Sequence, residues 1–237
     1  MNNIDVFSEE GELFLKDKMC ICLEDLNDKI LNDASDEKDF FKCLIDFFLI
    51  LEFPYDYNDK LEYYEQDENE DFLQEQLETF LLRENLEEDT NAMKIYNELY
   101  HALRSYVSEG LEGLWIHRAA ECWYPKVIIN SVIGDGNYIE ELDDIITIYR
   151  GTNKDEFESK IYGQSWSLEK TQAENFAFVH YKGQEKYLNT IRVVIEAKIN
   201  KEDIYYYRKF HAEKEIVINP LKLLSDSIKI IESRKLI

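Results

Sequence analysis

The chain has 237 residues, 45% of them apolar and 14% aromatic, with only 8 Gly and 3 Pro. That is enough apolar material for a sizeable core, and it excludes a disordered, collagen-like or glycine-loop-dominated protein. Lys and Arg number 27 against 50 Asp and Glu, a formal charge of −23, which disfavours nucleic acid or an anionic membrane as partner of the chain as a whole.

The first residues, MNNIDVFSEEGELF, have no basic stretch followed by an apolar one, so no secretion signal is expected. Residues 9–32 read as an amphipathic helix carrying Leu13, Leu15, Met19, Ile21, Leu23, Leu26 and Ile30. Residues 37–52 are apolar nearly all round and read as a helix buried in a bundle. Lys42, Asp46 and Glu52 interrupt this run, which is too short to span a bilayer. A turn is expected at 54–58, then an acidic loop or helix end at 59–71. Helical spacing returns with Phe72, Leu73, Leu77, Phe80 and Leu81. It is clearest in Tyr96, Leu99, Tyr100, Leu103, Tyr106 and Val107, with Gly110 and Gly113 closing that helix.

After about residue 140 the period changes to two. Strands are predicted at 144–150, 191–199, 203–207, 215–219 and 227–232, with one short helix at 171–179. The fold class is therefore α+β: an acidic helical region, residues 1–90, followed by a mixed-sheet domain with flanking helices, residues 91–237. The boundary near 88–92 is soft, because no long linker marks it. Residues 1–116 carry 9 basic and 31 acidic side chains, net −22; residues 117–237 carry 18 and 19, net −1. The charge argument against nucleic acid therefore does not extend to the second half. Cys20, Cys22, Cys43 and Cys122 form no CxxC pair and no framework spacing, and read as reduced thiols of a cytosolic protein.

Three groups of residues in the second half carry chemistry. In Tyr149-Arg150-Gly151 a strand ends on a planar, permanently charged donor fork suited to phosphate or carboxylate, beside a glycine that lets backbone approach a ligand. In Ser165-Trp166-Ser167 two hydroxyls two residues apart face one side of a strand. In Glu213-Lys214-Glu215 two carboxylates share one face at the start of a strand, an arrangement suited to a cationic glycosyl transition state. Each also has a plain structural reading: a surface arginine with a turn glycine, a polar strand face with a buried Trp, a solvated strand start. A permanent cation, a hydroxyl pair and a carboxylate pair together suit a ligand with phosphates, sugar hydroxyls and a developing positive charge, and NAD⁺ has all three.

In this order and with these flanks, IYRG (148–151), SWS (165–167) and EKE (213–215) resemble the arginine–serine–glutamate class of mono-ADP-ribosyltransferases, over roughly residues 90–237. Trp166 stands where Thr is usual in that class. This looks more like the bacterial and phage-associated toxin members, of toxin–antitoxin or anti-phage type. The resemblance implies a cytoplasmic, NAD-dependent transferase that needs no metal and passes ADP-ribose to a macromolecule, either a protein side chain or an RNA or DNA base. It assigns Arg150 to the pyrophosphate and nicotinamide ribose, and Gly151 to the nicotinamide amide. Ser165 goes to ribose and to the orientation of Glu215, and Ser167 to strand geometry. Glu215 is the principal catalytic residue; Glu213 activates or positions the acceptor. Tyr162 and Phe176 are candidates to pack nicotinamide, with core packing the plainer fate of Phe176. Tyr205, Tyr206, Tyr207, Arg208, Phe210 and His211 are candidates for acceptor recognition by stacking or charge.

A toxin of this kind implies a neutralising antitoxin or chaperone-like partner, for which the acidic half is either a docking module or a solvated cap. Three alternatives stay open: an NAD glycohydrolase, a catalytically silent fold used for binding, and an acidic decoy whose second half is scaffold. Gly134-Asp135-Gly136 does not complete a dinucleotide fingerprint. Asp67, Asn69, Asp71 and Glu78 sit at calcium-loop offsets, but Phe72 stands where glycine is required. His101, His117, His180 and His211 have no metal-ligand spacing.

Overall fold

A computed structural model describes residues 6–51, 63–118, 123–134, 137–184 and 187–236, with the backbone alone for 63–67. The turn expected at 54–58, Cys122, Asp135 and Gly136 lie outside the described residues. The chain forms two compact units, residues 1–128 and 129–237.

The first unit is helical. Helix α1 (Glu9–Leu13) is capped by Ser8, whose side chain accepts from the Gly11 N–H at 3.1 Å, and runs on into a π-helical turn over Phe14–Lys18. The single helix expected over 9–32 breaks here. Cys20 adopts φ 55°, the Cys22 N–H donates to Lys126 O at 2.8 Å, and Ile21 bridges Val127. Pairing with a distant segment captures backbone groups that a continuous helix would have bonded internally. Helix α2 (Leu23–Asp33) buries Leu26 and Ile30; α3 (Lys38–Leu49) buries Phe41, Leu44, Ile45 and Phe48 at helical spacing.

The acidic stretch expected as a loop or helix end is helical from residue 63, where α4 (Tyr63–Glu84) begins. Glu and Gln are good helix formers, and acids in a first turn suit the helix dipole. Its stripe of Leu73, Leu77 and Phe80 is buried, and Phe80 stacks on Phe47 with centroids 5.0 Å apart. Helix α5 (Asn91–Ile116) starts at Thr90, whose side chain accepts from the Met93 N–H, and buries Ile95, Leu99, Leu103 and Val107. Gly110 does not end it. The helix kinks at Glu109–Gly110 (Gly110 φ 63°, ψ −146°) and resumes to Ile116. Because α5 packs on α2 and α4, it groups with the first unit, whereas the sequence reading set it with the second half.

The second unit is built on six strands: β1 (Ile145–Asn153), β2 (Ser165–Ser167), β3 (Ile191–Asn200), β4 (Ile204–Tyr207), β5 (Glu215–Ile218) and β6 (Lys229–Lys235). Their order is β4-β5-β2-β1-β3-β6, and every neighbouring pair is antiparallel, not mixed as expected. Short connections with little helix between most strands favour antiparallel pairing, since a parallel crossover needs a dozen or more residues. The long β3, flanked by β1 and β6, is apolar on both faces. Ile195 and Ala197 join a cluster with Ile148, Trp166 and Ile216, while Val194 packs under Ala173, Ala177 and Phe178 of a second layer. Those three belong to α7 (Lys170–Phe178). A further helix the sequence pattern does not signal, α6 (Lys154–Ser159), follows β1 directly.

Candidate functional site

The register sets Tyr149 of β1, Ser167 of β2 and Glu215 of β5 side by side across three adjacent strands. The Ser165 hydroxyl donates to Glu215 Oε1 at 2.6 Å, and Glu215 is only 4% exposed. The Ser167 hydroxyl donates to Glu213 O at 2.6 Å and accepts from the Glu169 N–H at 3.0 Å, which anchors both ends of the loop chain around β2 and β5.

Arg150 lies within β1, which runs three residues beyond it to Asn153. Its guanidinium donates from Nη1 to Ser165 O at 2.6 Å. It also grips Glu156 of α6, from Nε to Oε1 at 2.6 Å and from Nη2 to Oε2 at 3.2 Å. Glu156 accepts as well from the Thr152 hydroxyl and from the Gly163 N–H, the latter at 3.0 Å. Burial pushes the Glu156 carboxyl up, but the Arg150 charge and the hydrogen bonds from Arg150, Thr152 and Gly163 outweigh it and hold it below its ordinary range. Gly163 has no room for a side chain, because a Cβ there would meet Arg150 Nη2 at 2.5 Å.

Glu156 is the site residue that sequence reasoning missed. An unpaired arginine on a half-buried strand needs an anion, and the acid six residues on was the available signal. Tyr162 is half-buried, edge-on to Trp166 at 6.1 Å. Its hydroxyl is raised by burial and by the neighbouring Glu156 charge.

Gly151 has a packing purpose besides the one expected. A Cβ there would stand 2.0 Å from Ala173 O and 2.6 Å from Ala177 N, so glycine is what lets α7 pack this closely on β1. Phe176 is half-buried against His180, while Phe178 takes the core position. The Phe176 and Ala177 carbonyls accept from Arg192, a buried guanidinium that also bonds Asn153 Oδ1 and lies over the Tyr181 and Tyr187 rings, 4.9 and 5.4 Å from their centroids. Burial lowers the Arg192 pKa.

The acceptor-recognition residues divide. Tyr206 and Tyr207 are buried in β4, with Tyr207 in the main core, so neither is free to stack on an acceptor. Their cross-strand partners on β5 are the apolar Val217 and Ile216, against which the tyrosine rings pack. Tyr205 is half-buried and its carbonyl accepts from the Ile133 N–H. Arg208, Phe210, His211 and Glu213 lie in the hairpin joining β4 to β5. Arg208 N–H donates to Glu215 O at 2.9 Å. Phe210 is 76% exposed and edge-on to Tyr138 at 5.0 Å, and Lys209 pairs with Glu141 below it.

Glu213 and Glu215 do not share a strand face. Lys214 adopts φ 46°, and β5 starts only at Glu215. Glu213 thus sits half-exposed in the turn, its N–H donating to His211 Nδ1 at 3.3 Å.

Among the described residues no group of three or more His, Cys, Asp or Glu is placed to hold a metal ion. Asn69, Asp71 and Glu78 lie along α4 and not in a calcium loop. Among the described residues no helix is long and apolar enough to cross a membrane. No known protein family matches the chain, and comparison with curated proteins and with solved structures gives no match.

Proposed function

We propose that this protein is an NAD⁺-dependent mono-ADP-ribosyltransferase, acting in the cytoplasm as a toxin held in check by a neutralising partner. The observation that carries the reading is the chain Arg150–Ser165–Glu215. One serine accepts from the arginine through its carbonyl and donates to the buried carboxylate through its hydroxyl. Three of the five Arg150 N–H groups are engaged, which leaves one on each η nitrogen for a phosphate oxygen.

In this reading Glu215 accepts a hydrogen bond from a ribose hydroxyl and faces the developing charge. The bond between ribose C1′ and the nicotinamide nitrogen breaks, and its electron pair leaves with nicotinamide. The oxocarbenium ion at C1′ is stabilised by the carboxylate. The acceptor nucleophile then bonds to C1′, and its proton passes to Glu213, whose half-exposed position in the hairpin suits contact with a macromolecule. Phe210 and Arg208 of the same hairpin are the recognition groups left after Tyr206 and Tyr207 are assigned to the core. Protein and nucleic acid are both acceptors compatible with an exposed aromatic beside a cation.

The test incubates labelled NAD⁺ with whole-cell lysate and either wild type or Glu215→Gln, then separates protein from nucleic acid. Label in one fraction, lost by at least about 100-fold in the variant, is the expected result. Free ADP-ribose without acceptor makes the enzyme a glycohydrolase. Intact NAD⁺ with no label in either fraction overturns the enzyme reading.

A further inference from the structure

Ser165 stands at the end of β2 where the sheet's own ladder runs short. The strand meets β1 at one pair only, Tyr149 with Ser167. On the other side Ser165 pairs with Val217 of β5. The residue before Ser165 takes over where the strand stops. Gln164 O accepts from the Ile218 N–H at 3.0 Å, and the Gln164 side chain donates from Nε2 to Ile218 O at 3.3 Å. The same side chain meets both backbone groups of Ile129. Its Oε1 accepts from the N–H at 2.9 Å, and its Nε2 donates to the carbonyl at 2.6 Å. A carboxamide can do this because it carries a donor and an acceptor side by side, as a peptide group does. Ile129 and Ile218 are 1% and 0% exposed, so water does not stand in for these bonds. Gln164 thus gives the Ser165 end of β2 a lateral tie that a three-residue strand lacks.

We propose that Gln164 is a positioning residue, holding Ser165 where its hydroxyl meets the Glu215 carboxylate. The inference rests on the ADP-ribosyltransferase reading and adds to it a residue that acts through Ser165. The Ser165 hydroxyl reaches Glu215 Oε1 at 2.6 Å across two neighbouring strands. A drift of about 1 Å at the start of β2 would break that bond, and misplacement of this size costs up to about 100-fold in rate. Arg150 is held separately, by Glu156. The loss in a Gln164 variant should therefore fall on turnover and not on NAD⁺ affinity. A purely structural loss acts equally with or without the Ser165 hydroxyl, whereas a positioning loss needs that hydroxyl to be present.

A double-mutant cycle of Gln164→Ala and Ser165→Ala in the full-length protein tests this. The readout is the initial rate of nicotinamide release from NAD⁺, with cell lysate as the source of acceptor and a lysate blank subtracted. Circular dichroism checks that each variant is folded. If Gln164→Ala does not fold, Gln164→Glu takes its place, since it keeps the acceptor for the Ile129 N–H and removes both donated bonds. In the wild-type background the Gln164 change is expected to lower kcat at least about tenfold, with KM for NAD⁺ within about threefold. In the Ser165→Ala background it is expected to lower kcat by less than about threefold. Equal losses in the two backgrounds overturn the proposal, and so does a loss confined to KM or an unchanged kcat. NAD⁺ left intact by the wild type overturns the transferase reading itself, a failure distinct from turnover with additive losses.

Discussion

At the residue scale the site is a contest for one arginine. Glu156 engages two faces of the Arg150 fork, and the Ser165 carbonyl a third. Its carboxyl is held below its ordinary value of 4.5 in the folded chain, so it contributes stability above that value and loses the contribution as the pH falls through the folded value. Replacing it with Gln should cost about 1–3 kcal/mol at neutral pH. Urea titrations should show a constant gap between wild type and variant from neutrality to about pH 5.5, and a shrinking one below about pH 4.5. A gap that widens on acidification contradicts the assignment.

Gly163→Ala tests the same contact from the other side. The new Cβ meets the guanidinium end of Arg150 and is seated only if that fork shifts, so unfolding should cost no more than Glu156→Gln does, while on the transferase reading NAD⁺ affinity in a direct titration should drop about tenfold. None of this contact set is written in local sequence. Arg150, Ser165 and Glu215 were legible as residue types that suit phosphate, hydroxyl and cation chemistry, but their partners lie 6 to 50 residues away. Glu156 was hidden because the residues after Tyr149-Arg150-Gly151 show no periodicity, and a six-residue helix is too short to announce itself.

At the element scale, glycines mark where backbones meet. Gly151→Ala would drive a methyl against backbone atoms of α7, 2.0 Å from Ala173 O and 2.6 Å from Ala177 N, and neither can rotate away. We expect a loss of about 3 kcal/mol or more in denaturant unfolding, larger than that of any ordinary surface change. Gly113→Ala is expected to cost about 1–3 kcal/mol, because its Cβ would stand 2.6 Å from Ser105 O across the α5 kink. These glycines were visible in the sequence and their roles were not. Gly110 and Gly113 looked like a helix end, and only packing shows a helix that bends and continues.

Strand periodicity fared better. The strands at 191–200 and 204–207 fall within a residue of expectation, because alternation and β-branching are local. The Glu213–Glu215 pair did not behave as two residues of one strand, because the turn at Lys214 needs a left-handed backbone.

Across the whole molecule, charge and architecture divide together. Residues 1–128 carry a net charge of −21 and residues 129–237 of −2. Self-repulsion should therefore burden the helical unit far more than the sheet unit. Scanning calorimetry from about 10 to 150 mM NaCl should raise the unfolding temperature of the helical unit by a few degrees and leave the sheet unit nearly unchanged, as the Debye length contracts to about 8 Å. Equal shifts for both units would show that the acidic excess is already neutralised within the helical fold.

The amino-acid order settled what is local or additive: the α+β class, the charge asymmetry, the helical faces of α2, α3 and α5, and the strand runs. The folded chain settled what depends on distant partners. It broke the first helix where Ile21 meets Val127, and it made the sheet wholly antiparallel. It buried Tyr206 and Tyr207, and it supplied Arg150 with Glu156. Periodicity and composition report which side a residue prefers to face. Which atom it meets there is set by long-range closure of the chain, and sequence spacing carries no record of that.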